Sequence, residues 1–69
     1  MKNTSIIPKA PVSRILFKAG AKRVSQPATD AFAEVLSEFA EDIARRSVQI
    51  ARHSGRKTVK ERDIKLAAK

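Results

Sequence analysis

Residues 26–53 read QPATDAFAEVLSEFAEDIARRSVQIARH, and this stretch decides the fold. Within it Ala28, Ala31, Phe32, Val35, Leu36, Phe39, Ala40, Ile43, Ala44, Ser47 and Ile50 recur at steps of three and four, the period of an α-helix with one apolar stripe. No glycine interrupts it, and no proline follows Pro27. Ser25 stands where an N-cap hydroxyl accepts a hydrogen bond from the first free N–H groups. Pro27 falls in the first turn, where its missing donor is harmless, and Gly55 follows the last periodic residue as a stop. The resulting rod is about 42 Å long, more than twice the usual helix.

Outward from this rod, the flanks are short. Met1 to Ala10 lacks periodicity, carries Pro8 and reads as a tail, with the folded domain taken as residues 11–69. Pro11 to Ala19 places Val12, Ile15, Leu16 and Ala19 together, which predicts a short first helix stopped by Gly20. Arg14 and Lys18 lie four apart on one side of it. Ala21 to Ser25 forms a connector with Lys22 and Arg23 beside Val24, and His53 to Lys57 forms a second connector. Thr58 with Glu61 three residues later has the spacing of a capping box, which predicts that the last helix starts there, with Val59, Ile64, Leu66 and Ala67 as its apolar contacts. The fold class is all-α: short helix, long helix, short helix.

Sixty-nine residues make one domain of a size whose core is marginal without help. Cysteine is absent, which excludes disulfides, and a single histidine makes a metal cluster improbable. The expected help is a second chain. No apolar run approaches a membrane span and no signal-peptide core opens the chain, so an intracellular protein is expected. Fifteen Lys and Arg against seven acids give a net charge of +8, a balance that points to a polyanion such as nucleic acid. The charge is segregated. Residues 1–23 hold six bases and no acid, Asp30 to Asp42 holds five acids and no base, and the sign reverses again from Arg45.

Two short helices cannot cover a rod of about 42 Å, whereas two copies crossing antiparallel can. That crossing brings the start of one long helix beside the end of the other. Lys22 and Arg23 of one chain then meet Arg56 and Lys57 of its partner, giving a composite basic site at each end of the dimer. The first helices, with Arg14 and Lys18, add a third patch near the middle. The sum is a curved basic track suited to duplex DNA.

The runs Ala10-Pro11-Val12-Ser13-Arg14-Ile15, Ala19-Gly20-Ala21-Lys22-Arg23-Val24-Ser25 and Ala51-Arg52-His53-Ser54-Gly55-Arg56-Lys57-Thr58-Val59, continuing to Asp63-Ile64, resemble the archaeal histones over about residues 7–68. The third run is the most specific. The resemblance implies the histone fold, a handshake homodimer, and DNA wrapped on its outside through backbone contacts, as dimers joined into tetramers or longer particles on the chromosome in the cytoplasm. Arg23 resembles the arginine that enters the minor groove, and Thr58 the threonine that braces it from the partner chain. Insertion of this kind uses the negative potential of the groove and needs no base-specific pattern. Lys57 and Arg14 then contact phosphate, with Lys18 and Lys22 as further phosphate partners and Ser25 in the same DNA-contacting set. Arg56 resembles an arginine paired with the acid matching Asp63, a structural role for which a planar guanidinium is suited. Ile50, His53 and Asp63 resemble a four-helix contact between dimers. Three departures stand out: Pro27 replaces a more usual polar residue, Asp30 stands where an apolar one is common, and the last helix ends early.

Other function classes fare worse. A sequence-specific repressor needs a recognition helix exposing Arg, Asn or Gln, but the long helix exposes acids. An RNA-binding, ribosome-associated protein commonly stacks bases on aromatic side chains, and all three Phe read as buried or facing other helices. An enzyme is least expected, since there is no phosphate-cradling glycine loop, no cysteine and no second histidine. No cofactor, metal or small-molecule substrate is expected.

Overall fold

A computed structural model describes residues 6–69; the first five residues of the expected tail lie outside it. Three helices follow one another: α1 (Lys9–Lys18), α2 (Gln26–His53) and α3 (Glu61–Ala67), and no strand occurs among the described residues. The chain divides after Glu38 into two compact units, with α2 running through both.

α2 spans the stretch read from the sequence, and its ends are held as its residues dictate. The Ala28 N–H donates to the Ser25 hydroxyl oxygen at 3.1 Å, and the Thr29 N–H donates to the Ser25 carbonyl. Pro27 lies in that first turn, where no intrahelical acceptor exists for the N–H it lacks. At the other end Gly55 adopts φ +75°, a left-handed conformation that side chains disfavour. The Gly55 N–H donates to Arg52 O and the Arg56 N–H to Ala51 O, both at 2.9 Å, which satisfies carbonyls of the last turn. Gly20, at φ +118°, closes α1 in the same way through Gly20 N–H to Phe17 O and Ala21 N–H to Leu16 O.

Both short helices start elsewhere than the sequence reading placed them. α1 begins at Lys9, two residues before Pro11, because Pro11 then sits at the third helical position, still among the N–H groups that have no intrahelical acceptor. α3 begins at Glu61 and not at Thr58, and the Thr58–Glu61 capping box does not form. The Asp63 carboxylate instead accepts the Lys60 N–H at 2.8 Å, making Lys60 the residue before the first turn. Lysine has no acceptor with which to complete a reciprocal box. Val59 consequently precedes α3 instead of belonging to it.

The core is small. Val12, Ala33, Ala51 and Ala67 are its buried apolar residues, joined by buried Thr29, Ser37, Ser47 and Asp63. In the first unit α1 lays Val12 toward α2, and the Ser13 and Thr29 hydroxyls lie 3.2 Å apart. Lys9 reaches Asp30 at 2.6 Å, and Gln26 donates to the same carboxylate. In the second unit Arg46 donates to the carbonyl of Ala67 at 2.8 Å and also pairs with Asp42, so it caps the last turn of α3.

The buried face of α2 is therefore a row of small residues, Thr29, Ala33 and Ser37 in one unit and Ser47 and Ala51 in the other. Small side chains allow a short helix to approach closely. Of the larger apolar residues of the expected stripe, Phe32, Leu36, Ile43 and Ile50 are half-buried, while Val35 and Phe39 are turned elsewhere, 59% and 57% exposed. In the second unit Ala40, Ile43, Ala44, Ser47, Val48, Val59 and Ile64 line an apolar hollow of about 360 Å³. One valine and three alanines, even with half-buried Leu16, Phe32, Leu36 and Ile43, make a thin core for so many ordered residues. The open apolar surface is a second face awaiting burial.

Candidate nucleic-acid interface

In the first unit, Arg14 and Lys18 stand on the exposed side of α1 one turn apart. The connector after Gly20 carries Lys22 and Arg23, both exposed, while Val24 between Arg23 and the cap residue turns half inward. None of these four cations forms an ion pair among the described residues. Arg23 is presented two residues before the Ser25 cap, so the start of α2 fixes the backbone from which it projects. Ser25 commits its oxygen to the Ala28 N–H and keeps its O–H as a donor.

In the second unit, Lys57 and Thr58 are exposed in the connector between α2 and α3. That connector is held from within by Arg56. Its Nη1 donates to the Thr58 carbonyl at 2.9 Å and to Asp63 Oδ2 at 2.9 Å, while its Nη2 donates to Asp63 Oδ1 at 2.8 Å. Asp63 is 1% exposed. The Arg56 guanidinium, followed by the Lys60 N–H, holds its carboxyl well below the usual carboxylate range against the opposing effect of burial. The same bond pushes the Arg56 pKa up. The buried carboxylate thus anchors both the loop that carries Lys57 and Thr58 and the first turn of α3.

His53 is exposed in the last turn of α2, and its Nδ1 lies 2.9 Å from the Gln49 carbonyl, to which it donates. Ile50 is half-buried on the same turn. Both line a hollow with Gln49, Leu66 and Ala67. Asp63 has three of its acceptor positions occupied within its own chain, leaving one.

Three features escaped the sequence reading. Arg46 lies four residues after Asp42, a pairing visible in the sequence, but its bond to Ala67 O spans twenty-one residues and had no local signal. The Lys9–Asp30 contact likewise spans twenty-one residues. The phenylalanines are also not all covered, since Phe17 on α1 and Phe39 on α2 are about half exposed. Among the described residues no helix is long and apolar enough to cross a membrane. Nor is any group of three or more His, Asp or Glu placed to hold a metal ion.

Short, long and short helices with basic connectors at both ends of the long one match a known architecture. A family model described as histone-like transcription factor (CBF/NF-Y) and archaeal histone matches residues 6–68. The chain belongs to this family. The histone is similar to an archaeal histone HAN1 subunit from Thermococcus zilligii, 49% identical over 91% of this chain and 94% of that protein. It is also similar to probable archaeal histone 3 of Methanocaldococcus jannaschii, 57% identical over 88% of this chain and 91% of that one. Its helices form the histone fold. Its function is that of an architectural DNA-binding protein of chromatin, associated with the chromosome and acting in oligomers. Relatives in this family are structural proteins and not enzymes.

Proposed function

We propose that this histone wraps and compacts duplex DNA with little sequence preference, as a handshake homodimer that assembles into tetramers or longer particles. Two observations carry the reading: the cations Arg14, Lys18, Lys22 and Arg23 form no ion pair among the described residues, and apolar side chains such as Val35 and Phe39 are left uncovered. The apolar surface is buried by a second copy of the chain crossing antiparallel. The crossing sets Arg23 of one protomer beside Thr58 of its partner, where the guanidinium enters an inward-facing minor groove. Arg14, Lys18, Lys22 and Lys57 take phosphates, with the Ser25 hydroxyl donating to one more. Arg56 and Asp63 hold the second connector in shape. Ile50, His53 and Asp63 form the contact between one dimer and the next. The folded domain is residues 11–69 with α1 extended back to Lys9, the protein acts at the chromosome in the cytoplasm, and it catalyses no reaction and needs no cofactor.

The charged residues in the first half of α2 are all acidic, with Glu34 and Glu38 both open to solvent. An acidic helix does not enter a major groove, which disfavours sequence-specific reading. Nuclease digestion of long DNA at several protein ratios tests the proposal. A ladder with a regular step is expected, and protection confined to one sequence would replace wrapping with specific binding.

A further inference from the structure

Phe17 is an aromatic ring exposed among cations. On α1, Val12, Ser13 and Leu16 form the side turned to α2: Val12 is buried, Ser13 and Leu16 are half-buried, and Ser13 meets Thr29. Ile15 and Phe17 lie two positions apart, about 200° around the helix, so they occupy opposite flanks and one covering surface cannot take both. Ile15, 50% exposed, continues into Pro11 and Ala19, four residues before and after it. That flank is apolar apart from Lys18 at its edge and suits a second protein chain. Phe17, 48% exposed, shares its flank with Arg14, three positions before it, and Lys18, four after Arg14, lies between that cation and Ile15. Both cations are exposed and unpaired. A protein surface closing over this flank desolvates Arg14 without neutralising it, which opposes the gain from burying one ring. A polyanion with flat, unstacked bases gains from all three residues. The position is also fixed, because the Phe17 carbonyl accepts the Gly20 N–H at 3.0 Å in the turn that ends α1.

We propose that Phe17, Arg14 and Lys18 form a stacking site for an unpaired base of single-stranded DNA. The ring takes the face of the base, and the two cations take the neighbouring phosphates. In a duplex every base face is covered by its neighbours, so the ring adds nothing there. The site therefore lets the histone hold strand-separated DNA in addition to duplex. It rests on the DNA-binding reading only for the orientation of α1 toward the nucleic acid.

The chain has no Trp and no Tyr, so Phe17→Trp introduces a lone fluorescent reporter. At low salt, oligo-dT quenches that emission and a duplex of equal length does not. Phe17→Leu, which keeps apolar bulk without a ring, weakens oligo-dT binding about tenfold while duplex affinity and dimer mass stay unchanged. Equal quenching by duplex, unquenched emission with oligo-dT, or a Phe17→Leu protein that loses its dimer overturns the proposal, the last by placing Phe17 in the protein interface. If the parent protein binds no duplex, the wrapping function fails instead, and ring-dependent binding of oligo-dT still supports the stacking site.

Discussion

The Arg56 guanidinium and the Asp63 carboxylate meet through two parallel hydrogen bonds of 2.9 and 2.8 Å, with Asp63 almost wholly buried. The arrangement joins the second connector to α3 across seven residues. The same carboxylate accepts the Lys60 N–H, and the same guanidinium donates to the Thr58 carbonyl, so one buried acid shapes both the loop and the start of the helix. Parallel bonds from a planar donor need the fork of arginine, which a lysine point charge lacks.

Asp63→Asn keeps the shape but removes the charge and turns an amide donor toward Arg56. It lowers the thermal midpoint by roughly 5–10 °C, and Arg56→Lys shifts it in the same direction. Circular dichroism melts at fixed protein concentration measure both. An unchanged midpoint for Asp63→Asn would show that the pair contributes nothing to the fold.

Acid sensitivity follows from the three shifted aspartates. Asp63, Asp42 and Asp30 are each held below their ordinary value, chiefly by hydrogen bonds from Arg56, Arg46 and Lys9 respectively. A carboxylate whose folded pKa is depressed contributes stability that is present above the unfolded value, about 4, and is lost as pH falls toward the folded one. Stability is therefore flat with respect to these groups near neutrality and declines below about pH 4. Asp63→Asn makes the decline shallower. Denaturant midpoints measured across that range test the sign.

Phe39, 57% exposed, belongs to the surface that the proposed dimer covers. Burying a side chain of this size contributes about 1.5–3 kcal/mol, and a dimer buries it twice. Phe39→Glu yields a chain that loses most of its helical signal at micromolar concentration, whereas the parent melts at a temperature that rises with concentration. Sedimentation distinguishes the cases. A Phe39→Glu protein that remains a dimer of full helicity places the interface elsewhere.

Arg23 forms no ion pair among the described residues of its own chain, so its removal leaves that chain's fold alone. Arg23→Ala weakens binding to duplexes of different sequence by similar factors and reduces the steepness of the salt dependence by about one unit of slope for each phosphate that the variant no longer neutralises. Titrations at several salt concentrations on unrelated duplexes provide the measurement. Weakening on one sequence alone argues for base reading.

Local rules determined the long helix: the stripe at three and four, the Ser25 cap, Pro27 in the first turn and Gly55 after the last residue act within a few positions of one another, and α2 has the bounds they specify. The segregated charge and the basic connectors were equally legible, and with the quoted motifs they pointed to a histone that binds DNA. The tertiary structure decided what depends on contacts distant in sequence. The start of α3 moved from Thr58 to Glu61 because Asp63 is committed to Arg56 and to the Lys60 N–H. The short helices pack on the small residues of α2, since Thr29, Ala33, Ser37, Ser47 and Ala51 admit a close approach, and this leaves Val35 and Phe39 for another surface. Periodicity identifies an apolar stripe but cannot divide it between neighbours, because the same spacing serves a contact within the chain and a contact with a second one.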